Sequence, residues 1–165
     1  MDFSGRVKRL QALLGKGMSA FMVTDPEDIL YYTGYRVSSD FSFLIVPGKG
    51  SPMLAVSSLE NGAESLKWPE VLFIKSVKEF LKPLKSGTVG YDEYEMSAYL
   101  FSRLGRRIRM KPAAGLIKKP RMVKEPGEIG KMRSAIGITR KVLENLDLYG
   151  KSELEVASGI DIAFR

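Results

Sequence analysis

Short apolar runs alternate with helix-period segments along most of this chain, and that alternation restricts the fold more than any other feature. Ser19–Thr24, Phe41–Val46, Met53–Val56, Val71–Ile74, Thr88–Tyr91 and Ile108–Met110 are brief apolar stretches bounded by turn formers, the signature of short strands. Between them, Val7, Leu10, Leu13 and Leu14 recur at helical spacing before Gly15 and Gly17, and Asp25 stands ready to cap a helix over Glu27–Thr33 that Gly34 closes. Leu59–Lys67, Lys75–Leu84 and Met96–Leu104 read as further helices. Pro47-Gly48-Lys49-Gly50-Ser51-Pro52 joins two of the strands, so a hairpin is expected there. Strands separated by helices, with one hairpin among them, predict an α/β fold: a mixed sheet of about five or six strands with helices on both faces.

The pattern changes after Pro120. Ile129, Met132, Ile136, Leu143 and Leu146 lie on one face of a long helical segment from Pro126 to Leu146. Ser152-Glu153-Leu154-Glu155 is a capping box that starts a second helix near Glu153. Its apolar stripe of Leu154, Ala157, Ile160 and Phe164 runs to Arg165 without a stop signal. The division expected from this is an α/β domain over residues 1–122, then a linker and two helices over 123–165. Those helices present more apolar surface than a tail needs, so a packing partner beyond Arg165 is expected.

Composition limits the chemistry. The chain has no His and no Cys, which removes Ser-His-Asp and Cys-His schemes and two of the usual metal-ligand types. Gly48-Lys49-Gly50-Ser51 lacks the spacing of a phosphate loop and reads as a turn. Asp92, Glu93 and Glu95 precede a predicted helix, where the helix dipole favours acids. With Asp25 and Asp40 they allow, as a remote alternative, an all-oxygen Mg²⁺ site of an RNase H-like nuclease. Tyr31, Tyr32, Tyr35, Phe41 and Phe43 surround the polar loop of residues 35–40 and suit either core packing or a pocket beside Arg36.

Charge is unevenly spread. Eleven Lys and Arg face two Glu between Arg103 and Arg133, whereas the rest of the chain carries fifteen basic and seventeen acidic side chains. Such a segment is either a solvated face or a surface for acidic proteins or nucleic acid. The amino-terminal segment interleaves Arg6, Lys8 and Arg9 with apolar residues and is no signal peptide, and no run suits a membrane span; a cytoplasmic location is expected.

The order of these segments resembles a known family. Asp25-Pro26-Glu27-Asp28-Ile29-Leu30-Tyr31-Tyr32-Thr33-Gly34-Tyr35 is similar to the D-x-x-N-I-x-Y-L-T-G-F signature of creatinase-type amino-terminal domains, with Asp28 for Asn, Tyr32 for Leu and Tyr35 for Phe. The Phe41–Val56 hairpin resembles the strands that follow it. Lys118-Lys119-Pro120-Arg121-Met122-Val123-Lys124-Glu125-Pro126-Gly127-Glu128-Ile129 resembles the R-x-I-K-x-x-x-E-I linker. Met132–Leu146 and the Ser152–Glu155 turn resemble the helices that open a pita-bread catalytic domain.

That family comprises Xaa-Pro dipeptidases (prolidases), proline aminopeptidases and creatinases, and the short first domain favours the dipeptidase branch. The resemblance implies a non-catalytic amino-terminal domain of a proline-specific metallopeptidase. Two divalent metal ions would be held by two Asp, one His and two Glu beyond Arg165, with no cofactor in this chain; creatinase itself needs no metal. Implied partners are a second subunit of a homodimer, the chain's own catalytic domain and, in the longer protein, a proline-containing dipeptide. The implied role is dimerisation and gating of the partner's active site by Gly34–Phe41, where Tyr35, Arg36 and Asp40 would orient substrate. The other reading is a binding module for acidic protein or nucleic acid, related to peptidase-like histone chaperones.

Overall fold

A strand that is apolar at every position must be covered on both faces. The computed structural model, which describes all residues except 16, 39, 40, 77, 78, 80, 82, 83, 85 and 86, shows how this is done. Its strands are β1 (Ala20–Val23), β2 (Phe43–Pro47), β3 (Met53–Ser57), β4 (Glu70–Ile74), β5 (Thr88–Tyr91) and β6 (Arg109–Pro112), ordered β4-β3-β2-β1-β5-β6 in one sheet. β1 pairs antiparallel with β2 and parallel with β5; β2 and β3 form the antiparallel hairpin; β4 and β6 lie parallel to their neighbours at the two edges. The sheet is therefore mixed, as expected, with six strands.

Side-chain alternation sorts the apolar residues into two cores. Phe21, Val23, Leu44, Val46, Leu54 and Val56 share one with Val7, Leu10 and Leu14 of α1 (Phe3–Leu13 and the residue after it) and with Ile29, Tyr31 and Tyr32 of α2 (Pro26–Thr33). Ala20, Met22, Phe43, Ile45 and Ala55 enter the other, opposite Leu100 and Leu104 of α3 (Ala98–Gly105). Period-2 geometry thus turns each continuous apolar run into two half-sets facing different helices. Gly90 of β5 is small of necessity, since a Cβ there would meet Met18 and Phe21 at 2.8 Å.

Two local readings are corrected. Leu59–Lys67 is not an α-helix; Asn61-Gly62 breaks it, Gly62 takes φ 89°, and only a 3₁₀ turn at Ala63–Ser65 remains. Residues 114–122, in contrast, do form a helix, α4 (Ala114–Met122), although Pro120 lies inside it. Proline removes one amide and clashes with the preceding turn, which is least disruptive so near the carboxyl end. The stretch that resembles a linker is therefore helical up to Met122. Half of the residues of the helix expected over Lys75–Leu84 lie outside the described residues.

Contacts divide the chain into residues Met1–Val123 and Lys124–Arg165. The second unit holds α5 (Pro126–Glu144) and α6 (Glu153–Ala163). Both begin with a capping box, Glu125 with Glu128 and Ser152 with Glu155. Leu146, just after α5, approaches Gly159 of α6, where an added Cβ would lie 3.4 Å from the leucine Cδ1. Among the described residues no helix is long and apolar enough to cross a membrane.

Candidate functional site

The loop after α2 is built on a helix that is fixed at both ends. Asp25 accepts the amide of Asp28 at 2.9 Å and Pro26 occupies the first helical position, so the start is capped twice over. Gly34 ends the helix in the left-handed region at φ 75°. A side chain there would collide with the Phe3 ring, 2.4 Å from the position of a Cβ. Arg6, itself buried, donates to the Tyr31 carbonyl at 2.8 Å and stacks 4.1 Å above the Tyr31 ring. A cation at a helix carboxyl end suits the dipole there.

From Gly34 the chain runs through Tyr35, Arg36, Val37 and Ser38. Thr33 Oγ1 accepts the Tyr35 amide at 3.1 Å. The single proton of the Tyr35 hydroxyl is shared between the Asn61 carbonyl at 2.8 Å and Glu60 Oε1 at 3.2 Å. Burial first, and then the adjoining Glu60 carboxylate, push the Tyr35 phenol above its ordinary range. Val37 turns into the core. Ser38 gives both its amide (2.9 Å) and its hydroxyl (3.1 Å) to Glu60 Oε1. Arg36 points outward and meets Glu27 Oε1 at 3.3 Å, with 71% of its side chain exposed. Such a solvated pair holds the guanidinium weakly, so it can turn to another carboxylate. Asp40 lies outside the described residues.

The aromatic side chains do not converge on this loop. Tyr31 and Tyr32 contact each other edge to face in one core, whereas Phe41 and Phe43 do so on the opposite side of the sheet. Only Tyr35 takes part in the loop itself.

A second polar group ties α2 to α4. The buried Asp28 carboxylate accepts from Arg121. The Tyr32 hydroxyl donates to the Ile117 carbonyl and the Tyr31 hydroxyl to that of Pro120, both at 3.2 Å. Burial raises the Asp28 carboxyl above its ordinary value of 3.8, and Arg121 only partly offsets this. For Arg121, burial is the largest influence and works against the charge, but the hydrogen bond and charge of Asp28, with Asp25 and Glu27 behind them, together outweigh it. The carboxylate decides the balance of the pair, because Asp28 is the enclosed member and a guanidinium stays charged at any ordinary pH.

The acids after β5 have duties other than starting α3, whose cap is Ser97. Asp92 accepts the Tyr94 amide and lies 3.3 Å from Lys118 Nζ. Glu93 accepts the Ala114 amide, the first of α4, at 2.9 Å. Its own amide and that of Ala114 hold its carboxyl below the usual range. Asp25 is spent on its cap. No three His, Cys, Asp or Glu side chains gather to hold a metal among the described residues. Arg109 and Lys111 lie exposed on β6, an edge strand, where charge discourages unwanted strand pairing.

The sequence singles out Tyr35, Arg36 and Asp40 for this loop but not Glu60, which bonds to it. The Asn61-Gly62 turn was the available signal, since it takes Glu60 out of a helix and leaves its side chain to seek partners elsewhere.

Comparison with known proteins agrees with this fold. The model of the creatinase/prolidase N-terminal domain matches residues 6–123. No curated protein sequence matches the chain. Among solved structures, an Xaa-Pro dipeptidase from Bacillus anthracis is similar with a TM-score of 0.85 at 18% identity, over 99% of this chain and 49% of that one. An X-Pro aminopeptidase from Thermotoga maritima gives 0.77 at 23% identity, over 95% and 48%. The N-terminal domain of the cytoplasmic peptidase PepQ from Mycobacterium tuberculosis gives 0.59 at 17% identity, over 70% and 98%. The chain thus spans about half the length of the larger proteins it matches. Its matched segment, its six-stranded mixed sheet and its Asp25–Tyr35 helix and turn place it together: the chain belongs to the creatinase/prolidase N-terminal domain family.

Proposed function

We propose that this chain serves as the non-catalytic amino-terminal domain of an Xaa-Pro dipeptidase, a proline-specific metallopeptidase. In this role it contributes subunit contacts and presents the loop after α2 to the active site of a partner subunit. The observation that carries the reading is the likeness of nearly the whole chain to about half of an Xaa-Pro dipeptidase. Hydrolysis would belong to a catalytic domain outside this sequence, and the two divalent ions would be held there. With no His in the sequence and no gathered set of acids among the described residues, the chain's part in this reading is scaffold and substrate contacts.

Within the loop, Arg36 is the residue suited to substrate. Its exposed guanidinium needs only to leave Glu27 to form a forked pair with a dipeptide carboxylate. Tyr35 supports the loop from beneath, and Asp40 is assigned to the same loop. Because such a contact binds the ground state and transition state alike, its loss raises KM and leaves kcat in place. Arg36→Ala, made in the longer polypeptide that contains both domains, is expected to raise KM for Xaa-Pro dipeptides about tenfold, the worth of one charge-assisted hydrogen bond. An unchanged KM would remove Arg36 from the substrate site.

A further inference from the structure

We infer that Glu60 is the positioning residue of this loop: acting through Tyr35 and Ser38, its carboxylate fixes where Arg36 is presented. The inference rests on the reading of Arg36 given above, and it adds a residue from a distant part of the sequence.

Glu60 is only 3% exposed. A carboxylate is enclosed without heavy cost only where donors occupy its lone pairs. The hydroxyl of Tyr35, the amide of Ser38 and the hydroxyl of Ser38 all point at it, and the Ser38 hydroxyl lies 3.1 Å from both of its oxygens. These donors lie 22 and 25 residues away in sequence. A carboxylate that merely capped its own turn would bond locally. Here the backbone bonds locally, Glu60 N–H to the Ser57 carbonyl at 3.0 Å, while the side chain crosses to Tyr35 and Ser38. The neighbouring Asn61 carbonyl takes the Tyr35 hydroxyl as well, so the phenol is held from two sides.

The consequence for Arg36 is geometric. Tyr35 is fastened by its hydroxyl, Val37 by burial and Ser38 by two donors, so three of four successive residues are tied down. Of the two exposed residues, Ser38 is tied to Glu60, while Arg36 carries its guanidinium outward to the exposed Glu27. Its side chain can move, but the backbone that carries it cannot drift. A binding group loses effectiveness when its support is loose by as little as an ångström. Glu60 supplies that support without touching substrate.

The test has two arms. In the 165-residue chain, hydrogen exchange of the Ser38 amide is compared in the parent, Glu60→Gln and Glu60→Ala, with the β1 amides as the control for global opening. A lost bond to a charged acceptor speeds exchange on the order of tenfold or more, and a neutral amide acceptor a few-fold. The expected order is Ala fastest, Gln between, with β1 unchanged; Ser38 exchange at the parent rate in Glu60→Ala overturns the inference. Should Glu60→Ala unfold the β1 region, Glu60→Gln alone decides: a few-fold increase supports the anchor and no increase overturns it. In the longer polypeptide, Glu60→Ala is expected to raise KM with kcat held, and to add nothing to Arg36→Ala in a double-mutant cycle. Full additivity of the two changes overturns the positioning role. If Arg36→Ala leaves KM unaltered, the substrate reading falls by itself, while the exchange data still decide whether Glu60 holds the loop.

Discussion

The two units of this chain carry equally plain helical periodicity and do different things with it. In residues 1–123, α1 buries Val7 and Leu10 almost completely. In residues 124–165, the longer helix over Pro126–Glu144 buries no residue, and Ile129, Met132, Ile136 and Leu143 remain between 38% and 63% exposed. Local signals are not the cause. The exposed helices own the two full capping boxes, whereas α1 relies on a single Asp2 cap. Periodicity and caps settle that a helix forms; a facing surface settles whether its apolar stripe is buried. The six-stranded sheet gives the first unit two such surfaces, and the second unit consists of two helices alone.

Leu44→Ala tests this contrast with the largest expected effect. Leu44 is fully buried in β2, and its truncation should cost about 2–5 kcal/mol, read from the urea midpoint of the single tryptophan, Trp68, in the same unit. Ile136→Ala on the exposed stripe should leave that midpoint within about 0.5 kcal/mol. Equal losses would break the comparison. Gly34→Ala comes next, at about 1–3 kcal/mol, because it imposes a left-handed alanine and a collision with Phe3. A stability equal to the parent's would show that the turn after α2 can relax.

Ser152→Ala sharpens the other side. It removes one half of the second capping box and should weaken the helix over Glu153–Ala163 by about 1 kcal/mol, seen as lost helical signal at its amides by NMR while the Trp68 transition stays put. Asp28→Asn should have the smallest effect near neutral pH, under about 1 kcal/mol, since the amide avoids burying a charge while Arg121 remains partly open to water. The sign follows from the raised carboxyl. The folded chain holds this proton more tightly than the unfolded one, so the contribution of Asp28 is fully present below 3.8 and is lost as pH rises through the higher folded value. Asp28→Asn should remove that decline from the stability profile; a decline of unchanged size would assign it to other groups.

Much of the fold was legible because strand and helix periods are local. Thr88–Tyr91 was read at its observed bounds and the hairpin turn at its place, where Gln11 Nε2 now donates to the Pro47 and Gly50 carbonyls. What strand periodicity did not give is which neighbour each face meets: the run Ala20–Val23 is apolar throughout, and only the assembled sheet divides it between two cores. Leu59, Ala63 and Leu66 mimic a helical stripe that Asn61-Gly62 interrupts, and Pro120 masked a helix that survives it. The candidate site was half legible. Tyr35 and Arg36 follow a recognisable helix and turn, but Glu60 meets Tyr35 and Ser38 across more than twenty residues, and the Asn61-Gly62 turn signals only that Glu60 leaves a helix, not which partners it finds.

We propose that this chain is scaffold and substrate loop, with catalysis housed elsewhere. The decisive experiment incubates the purified 165-residue protein with an Xaa-Pro dipeptide and a divalent metal and measures free proline. No proline above the metal-only blank is expected; release that follows the protein peak through successive purification steps would place catalysis in this chain.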